Sequence, residues 1–299
     1  MVLNLHLGAH KTATTHLQLS LRMAQHELRD NGVFYADPAI VRGDNFPLIQ
    51  GLNAPPGQRD AERLAARRFH HLREMYPWLL CSDENFLGGT HRDVMFGRRG
   101  EIYPQGAQRL RKLLRMAGGG PATLFLSVRE PASFNASAFS LQLILGNELM
   151  AEDYMAGRDP TSLNWTGLVR RLLSIEGAAR IVVWRYEDYP RLRGRILRRM
   201  LPPHLARQVP DPAPVNEGMS QPAYEWLAEQ AMTQTDADLR QLAAKARERF
   251  PRSAGHAPMR PFRPEEHQRS QAGYEADLDR LRQMPRVEFL EPRASAAPV

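Results

Sequence analysis

Residues 8 to 15 read Gly-Ala-His-Lys-Thr-Ala-Thr-Thr, directly after the apolar stretch Val2 to Leu7 and before a helical pattern. Where a buried strand turns into a helix, unpaired backbone N–H groups and the helix dipole converge on one point, and an anion is the natural occupant. Gly8 permits the tight turn. Lys11 can set a mobile ammonium on an anionic oxygen, and Thr14 and Thr15 add hydroxyl donors at the helix start. A plain strand-to-helix turn capped by threonine satisfies the same spacing. The loop is not a Walker A motif, because GxxxxGK[ST] needs a glycine directly before the lysine and His10 stands there.

A second constellation follows the apolar run Ala122 to Val128. Arg129-Glu130-Pro131 stands at the end of that run, and Ser137 comes eight residues after Arg129 on the helical stretch Ser133 to Leu145. A strand-end arginine offers a bidentate fork, and a serine in the first helical turns reaches the same anion. A surface ion pair with a filler serine is the alternative. Two more strand ends carry polar groups: Asp83-Glu84-Asn85 after Trp78 to Ser82, and Arg185-Tyr186-Glu187-Asp188 after Ala179 to Trp184.

Taken together, the loop resembles the 5′-phosphosulfate-binding loop GxxKTxTT of the sulfotransferase family, and its surroundings LHLGAHKTATTHLQ are similar to bacterial members. Leu124 to Pro131 with Ser137 resembles that family's 3′-phosphate motif. The resemblance implies that Gly8, Ala9, His10, Lys11, Thr12, Ala13, Thr14 and Thr15 cradle the sulfate-bearing end of PAPS (3′-phosphoadenosine 5′-phosphosulfate), the cosubstrate, with PAP as product. Lys11 would steady the leaving phosphate oxygen, with Thr12, Thr14 and Thr15 as further donors, and Arg129 and Ser137 would grip the 3′-phosphate. Ala13 stands where members often have glycine. Tyr186 is similar to a strand-end tyrosine near the adenine. Arg252-Ser-Ala-Gly255 or Arg260 could return to the nucleotide from the C-terminal part, and Val215-Asn216-Glu217 and Tyr274 to Leu278 also resemble bacterial segments.

The implied reaction is in-line transfer of a sulfuryl group to a hydroxyl of an unidentified acceptor, a carbohydrate or glycolipid, without a metal. It needs a base for the acceptor proton. Glu84 resembles the strand-end base of the carbohydrate-sulfating branch, with an ordinary capping carboxylate as the alternative and Asp83 as its less suitable neighbour. Histidine is the base in other branches. His10 points into the loop and is the second candidate, whereas His6 (turned into the sheet packing) and His16 (inside a helix) read as structural, and His91 falls in a candidate region.

These groups require strand ends that lie side by side. Leu17, Leu21, Ala24 and Leu28 recur at helical spacing until Asn31-Gly32, and Gly32 to Ala36 starts a second strand. Arg42 to Arg59 reads as an irregular excursion, Ala61 to Met75 and Gly106 to Met116 as helices, and Gly118-Gly119-Gly120-Pro121 as a stop. Gln221 to Phe250 and Pro264 to Met284 read as two further helices. The order predicts a three-layer α/β/α fold with a mostly parallel central sheet, a P-loop-like nucleotide-binding architecture whose ligands bind beyond the C-terminal strand ends. One domain is expected over 1–293, with 294–299 a flexible tail; 299 residues suffice for one large domain.

Charge and cysteine use narrow the classes. Forty basic against 33 acidic side chains give +7, and only Lys11, Lys112 and Lys245 among the cations are lysines. Arginine-rich faces (Arg109, Arg111, Lys112, Arg115; Arg191, Arg195, Arg198, Arg199) make a nucleic-acid-binding module the rival of another class, without interleaved aromatics or a reader motif. They also fit solvated helix faces or attraction of an anionic glycan or lipid headgroup. A P-loop nucleotide kinase is the enzymatic rival. Cys81 is alone, which excludes an intramolecular disulfide. No apolar stretch approaches the roughly 20 residues of a membrane span. The chain opens without the pattern of a secretory signal, and a cytoplasmic location is expected.

Overall fold

The computed structural model describes residues 1–97, 100–213, 218–233 and 238–292. Six strands, β1 (Val2–His6), β2 (Val33–Ala36), β3 (Trp78–Ser82), β4 (Ala122–Val128), β5 (Ala178–Arg185) and β6 (Val287–Leu290), form one sheet in the order β2-β3-β1-β4-β5-β6. Every neighbouring pair is parallel. Parallel strands need crossovers, and helices supply them: α1 (Thr14–Met23), α2 (Asp60–Met75), α3 (Gly106–Met116), α4 (Pro131–Leu145), α5 (Trp165–Leu173) and α6 (Tyr189–Met200). Three more helices follow, α7 (Gln221–Thr233), α8 (Leu239–Arg249) and α9 (Pro264–Gln283).

Both sheet faces are covered, so strand side chains of either parity are buried. Leu3 and Leu5 join the larger core with Phe69 of α2, Leu113 of α3 and Phe139 of α4. Phe125, Val182 and Trp184 face the smaller core, closed by Leu17 and Leu21 of α1 and Leu192 and Ile196 of α6. The polar residues of β1 are satisfied on that second face: Asn4 donates to the Met200 carbonyl at 2.8 Å, and His6 Nδ1 lies 2.7 Å from the Ser82 hydroxyl. This two-sided burial explains why the strands read as near-continuous apolar runs.

The three-layer fold with a parallel sheet is as the sequence reading expects, and the Gly118-Gly119-Gly120 stop takes three successive positive φ values of 81°, 70° and 90°. Some elements differ. Arg42 to Arg59 is not wholly irregular, since Leu48–Asn53 is a short helix whose Leu48 and Leu52 are buried. Gln221 to Phe250 is not one helix: α7 and α8 pack against each other, and Asp238 caps α8 by accepting from the Arg240 and Gln241 amides. Strand β6 was not foreseen, because four residues without alternation give no signal. The expected tail at 294–299 and the Val215-Asn216-Glu217 segment lie outside the described residues. Among the described residues no helix is long and apolar enough to cross a membrane.

Candidate anion-binding and transfer site

The three central strands, β3, β1 and β4, are side by side, and their C-terminal ends carry Glu84, the Gly8–Thr15 loop and Arg129. The strand order reverses around β1, which is where open α/β sheets bind ligands. In the loop, Gly8 has φ +44°, and a β-carbon there would meet Thr14 Cγ2 at 2.4 Å, so only glycine fits. Lys11 (φ 64°) and Ala13 (φ 62°) also adopt the left-handed region. The Thr12 hydroxyl donates to the Ala9 carbonyl at 2.7 Å and thereby ties the turn. Ala13 caps α1 without a side-chain bond. Among the described residues the amides of Lys11 to Thr15 donate to no protein acceptor, which leaves a row of oriented N–H groups at a helix start.

The positive charge around this loop is desolvated. Burial pushes the Lys11 ammonium down to about 8, with the charges of Arg129 and Arg247 acting in the same direction. Among the described residues Lys11 has no ion-pair partner. Arg129 donates to the Lys11 carbonyl at 2.7 Å and to the Ser133 hydroxyl at 3.3 Å, and lies 4.3 Å from the centre of the Tyr186 ring. Its own carbonyl accepts from the Trp165 indole at 2.8 Å, which fixes the end of β4. Burial holds the guanidinium below the usual arginine range, against the raising effect of Tyr186, Glu187 and Glu130.

Ser133, not Ser137, is the serine bonded to Arg129. Ser137 lies one turn further on the same face of α4, and both serines and Arg129 line a cavity of about 150 Å³. Arg129 keeps its Nε buried and unpartnered. The α4 start supports this arrangement: the Glu130 carboxylate accepts from the Ala132 and Ser133 amides, and Pro131 occupies the first turn.

Glu84 sits on a short turn, Glu84–Phe86, at the end of β3. Its carboxylate accepts from Gln18 of α1 at 3.0 Å and from Arg42 at 3.0 Å, and its side chain is 20% exposed. Burial pushes this group upward, but the bonds from Gln18 and its own backbone, with the charges of His10 and Arg42, bring it below its ordinary value. It is therefore ionised at neutral pH. Asp83 is wholly buried and takes both arms of Arg42, at 2.7 and 2.9 Å, which leaves it a structural anchor.

His10 is nearly sealed, with 4% exposure. Its amide donates to the Tyr103 hydroxyl at 3.0 Å and its Nδ1 lies 2.8 Å from the same oxygen. Asn85 satisfies its neighbours with its amide nitrogen toward the Gly88 carbonyl (3.1 Å) and His10 Nε2 (3.3 Å) and its oxygen toward Arg42 (2.9 Å). That network assigns the His10 proton to Nδ1. Burial keeps the ring below the usual histidine range, against Glu84. His6, stacked on Trp184 at 6.1 Å, is lowered by burial to about 4, and His16 is held by Tyr189 and the Pro212 carbonyl. His91 is exposed beside Asp93. Arg42 and Tyr103 escaped the sequence reading, and Gln18 and Asn85 stood in its segments without a role: each meets this site through a long-range contact that leaves no local signal. Among the described residues no group of three histidine, cysteine or carboxylate side chains is arranged to hold a metal.

The chain is an all-parallel α/β fold in which a lysine lowered by burial, a row of free amides and a strand-end arginine meet at one sheet edge, an arrangement whose chemistry suits an anion. No family model matches the chain, and no curated protein is similar to it. Among solved structures, the crystal structure of a sulfotransferase from Alicyclobacillus acidocaldarius is similar with a TM-score of 0.40 and 13% identity, covering 84% of this chain and 96% of that one.

Proposed function

We propose that this protein is a sulfotransferase that moves the sulfuryl group of PAPS to a hydroxyl of a carbohydrate or glycolipid acceptor. The observation that carries the reading is the bond from Arg129 to the Lys11 carbonyl, which brings together two motifs 118 residues apart. The residues present fit the cosubstrate's two anionic ends. Lys11 and the Lys11–Thr15 amides suit the 5′-phosphosulfate, and the unpartnered Arg129 Nε with Ser133 and Ser137 suits a 3′-phosphate. Tyr186, under the Arg129 guanidinium, belongs to the nucleotide end.

When bound, PAPS supplies an activated sulfuryl group on a phosphate leaving group. Lys11 and the loop amides hold the oxygens on which charge grows, and act strongly because they are already desolvated and oriented. Glu84 takes the acceptor's hydroxyl proton. Its partial exposure gives access, its ionisation gives the lone pair, and Gln18 and Arg42 hold it in one orientation. His10 is the weaker base, since both ring nitrogens are engaged and the ring is sealed. The test is a melting scan with PAP, PAPS and ATP. At about 100 times its dissociation constant PAP should add roughly 2.7 kcal/mol, while ATP shifts the midpoint much less. Equal shifts would replace this reading with a generic nucleotide site. A screen of hydroxylated acceptors with labelled PAPS then identifies the acceptor.

A further inference from the structure

A second cavity, of about 440 Å³, opens between the start of α2, one face of α3 and the segment 54–59 that leads into α2. Its volume falls in the range of small-ligand pockets, roughly 300 to 1,000 Å³. Five cations line it, Arg59, Arg109, Arg111, Lys112 and Arg115, against one carboxylate, Glu62. Glu62 is already shared between Lys112 at 2.8 Å and Arg115 at 3.4 Å, and Lys112 also donates to the Ala54 carbonyl at 3.1 Å. Among the described residues Arg59 and Arg111 have no side-chain hydrogen bond and no ion pair. The rest of the wall is aliphatic or amide, Gln105 and Gln108 included, without an aromatic ring on which a base could stack. Arg109 stands between this cavity and the transfer site. Its guanidinium donates to the Phe86 and Asn85 carbonyls, at 3.2 and 2.7 Å, on the turn that carries Glu84.

We infer that this cavity is a second anion site, outside the transfer site, for a small polyanion whose carboxylate, sulfate or phosphate groups meet Arg59, Arg111 and Arg115. Arg109 and Lys112 are spent on the fold and shape the wall, whereas these three arginines are exposed and can turn onto a ligand. Arg111 and Arg115 stand one turn apart on α3, about 6 Å along its axis, and Arg59 lines the same cavity from the loop. A ligand with a single anionic group leaves most of this charge unanswered. Two or more groups on one molecule engage several guanidinium forks and relieve their mutual repulsion. The same chemistry serves two sources: the charged part of an acceptor, or a separate effector that acts through Arg109 on the Glu84 turn.

The experiment is calorimetric titration with citrate at low salt, where screening is weak, with acetate as the single-charge control. Wild-type protein should bind one citrate saturably and acetate at least about tenfold more weakly. Arg59→Ala with Arg111→Ala should weaken citrate at least about tenfold. Two controls should leave it within about twofold: Arg195→Ala with Arg198→Ala, which removes the same charge from α6, and Lys11→Met, which removes the cation of the loop. Arg59 and Arg111 are exposed, and unchanged circular dichroism checks the fold. Equal weakening by the α6 pair would reduce the site to diffuse charge, and weakening by Lys11→Met would put the ligand in the transfer site. Either result, or no citrate binding by wild-type protein, would overturn the inference. Turnover with labelled PAPS separates the two sources, and that comparison alone rests on the function proposed above. A KM for acidic acceptors that the cavity substitutions raise at least about tenfold, with neutral acceptors unchanged, marks the acceptor's own charged part. Citrate that alters the rate with a neutral acceptor in wild-type protein but not in the variant marks an effector. If PAP shifts no melting midpoint, the sulfotransferase reading fails by itself, and the citrate titrations still decide the cavity.

Discussion

The molecule keeps its positive charge in two very different settings. On α3 and α6 half of the cations of the arginine-rich faces are in ion pairs: Lys112 and Arg115 share Glu62, Arg191 meets Asp188, and Arg199 meets Glu288 of β6. Arg109 is spent on the Asn85 and Phe86 carbonyls and on Asn53. At the β1 and β4 ends, by contrast, Lys11 and Arg129 are partly buried, and among the described residues neither has an ion-pair partner. Number of charges thus says little about function. The informative cations are those partly withdrawn from water without an ion-pair partner, because an anion placed beside them gains most. The cavity of about 440 Å³ between α2 and α3 is lined by cations of which Arg109, Lys112 and Arg115 have partners already and Arg59 and Arg111, among the described residues, do not.

The sharpest break in this comparison would come at Glu84, the partly exposed carboxylate at the end of β3, next to the strand that leads into the loop. Glu84→Gln keeps shape and most hydrogen bonds but removes the proton acceptor. PAP affinity should hold in a titration while turnover with labelled PAPS falls about 10²- to 10⁴-fold. Normal turnover in this variant, with a His10→Ala variant that binds PAP but is inactive, would move the base to the loop histidine.

Next in size is the contrast between a desolvated and a paired arginine. Arg129→Ala should weaken PAP binding by about 2 to 5 kcal/mol, as expected for a buried charge facing a phosphate. Arg199→Ala, which breaks a half-exposed pair with Glu288, should leave PAP binding unchanged and cost about 0 to 1 kcal/mol of stability in a urea titration. Similar effects of the two substitutions on PAP affinity would erase the distinction.

The smallest expected effect is a pH slope. Lys11 falls from 10.5 in the unfolded chain to about 8 in the fold, so the unfolded state holds its proton more tightly. Stability of the ligand-free protein should therefore rise with pH between about 8 and 10.5, the sign opposite to a lysine that gains a salt bridge. Lys11→Met should remove that contribution from denaturation midpoints measured across the window. An unchanged slope would mean that Lys11 is hydrated rather than buried.

Much of this was legible along the chain, and for local reasons. The strand-loop-helix at residues 2 to 23 is written in an apolar run, a glycine that no β-carbon can replace and a helical repeat, all within about 20 residues. The ATLFLSV strand and the helix after Pro131 are equally local, so Arg129 could be set at a strand end without any tertiary information. Residues whose role depends on a distant partner were illegible. Arg42 holds Asp83 and Glu84 across 41 and 42 positions, and Tyr103 holds His10 across 93, through side-chain bonds that leave no periodic trace.

Residue types and short-range spacing thus determined most of the elements, the parallel class of the sheet and the strand-loop-helix at the N-terminus, because backbone conformation and burial pattern are set by neighbours within a turn or a strand. Only the tertiary structure decided which strand ends touch, that Arg129 reaches the Lys11 carbonyl, that Ser133 rather than Ser137 meets its guanidinium, and that Glu84 is partly exposed and ionised while His10 is sealed. Those outcomes depend on desolvation and on contacts between segments far apart in the chain, and burial exists only once the layers have packed.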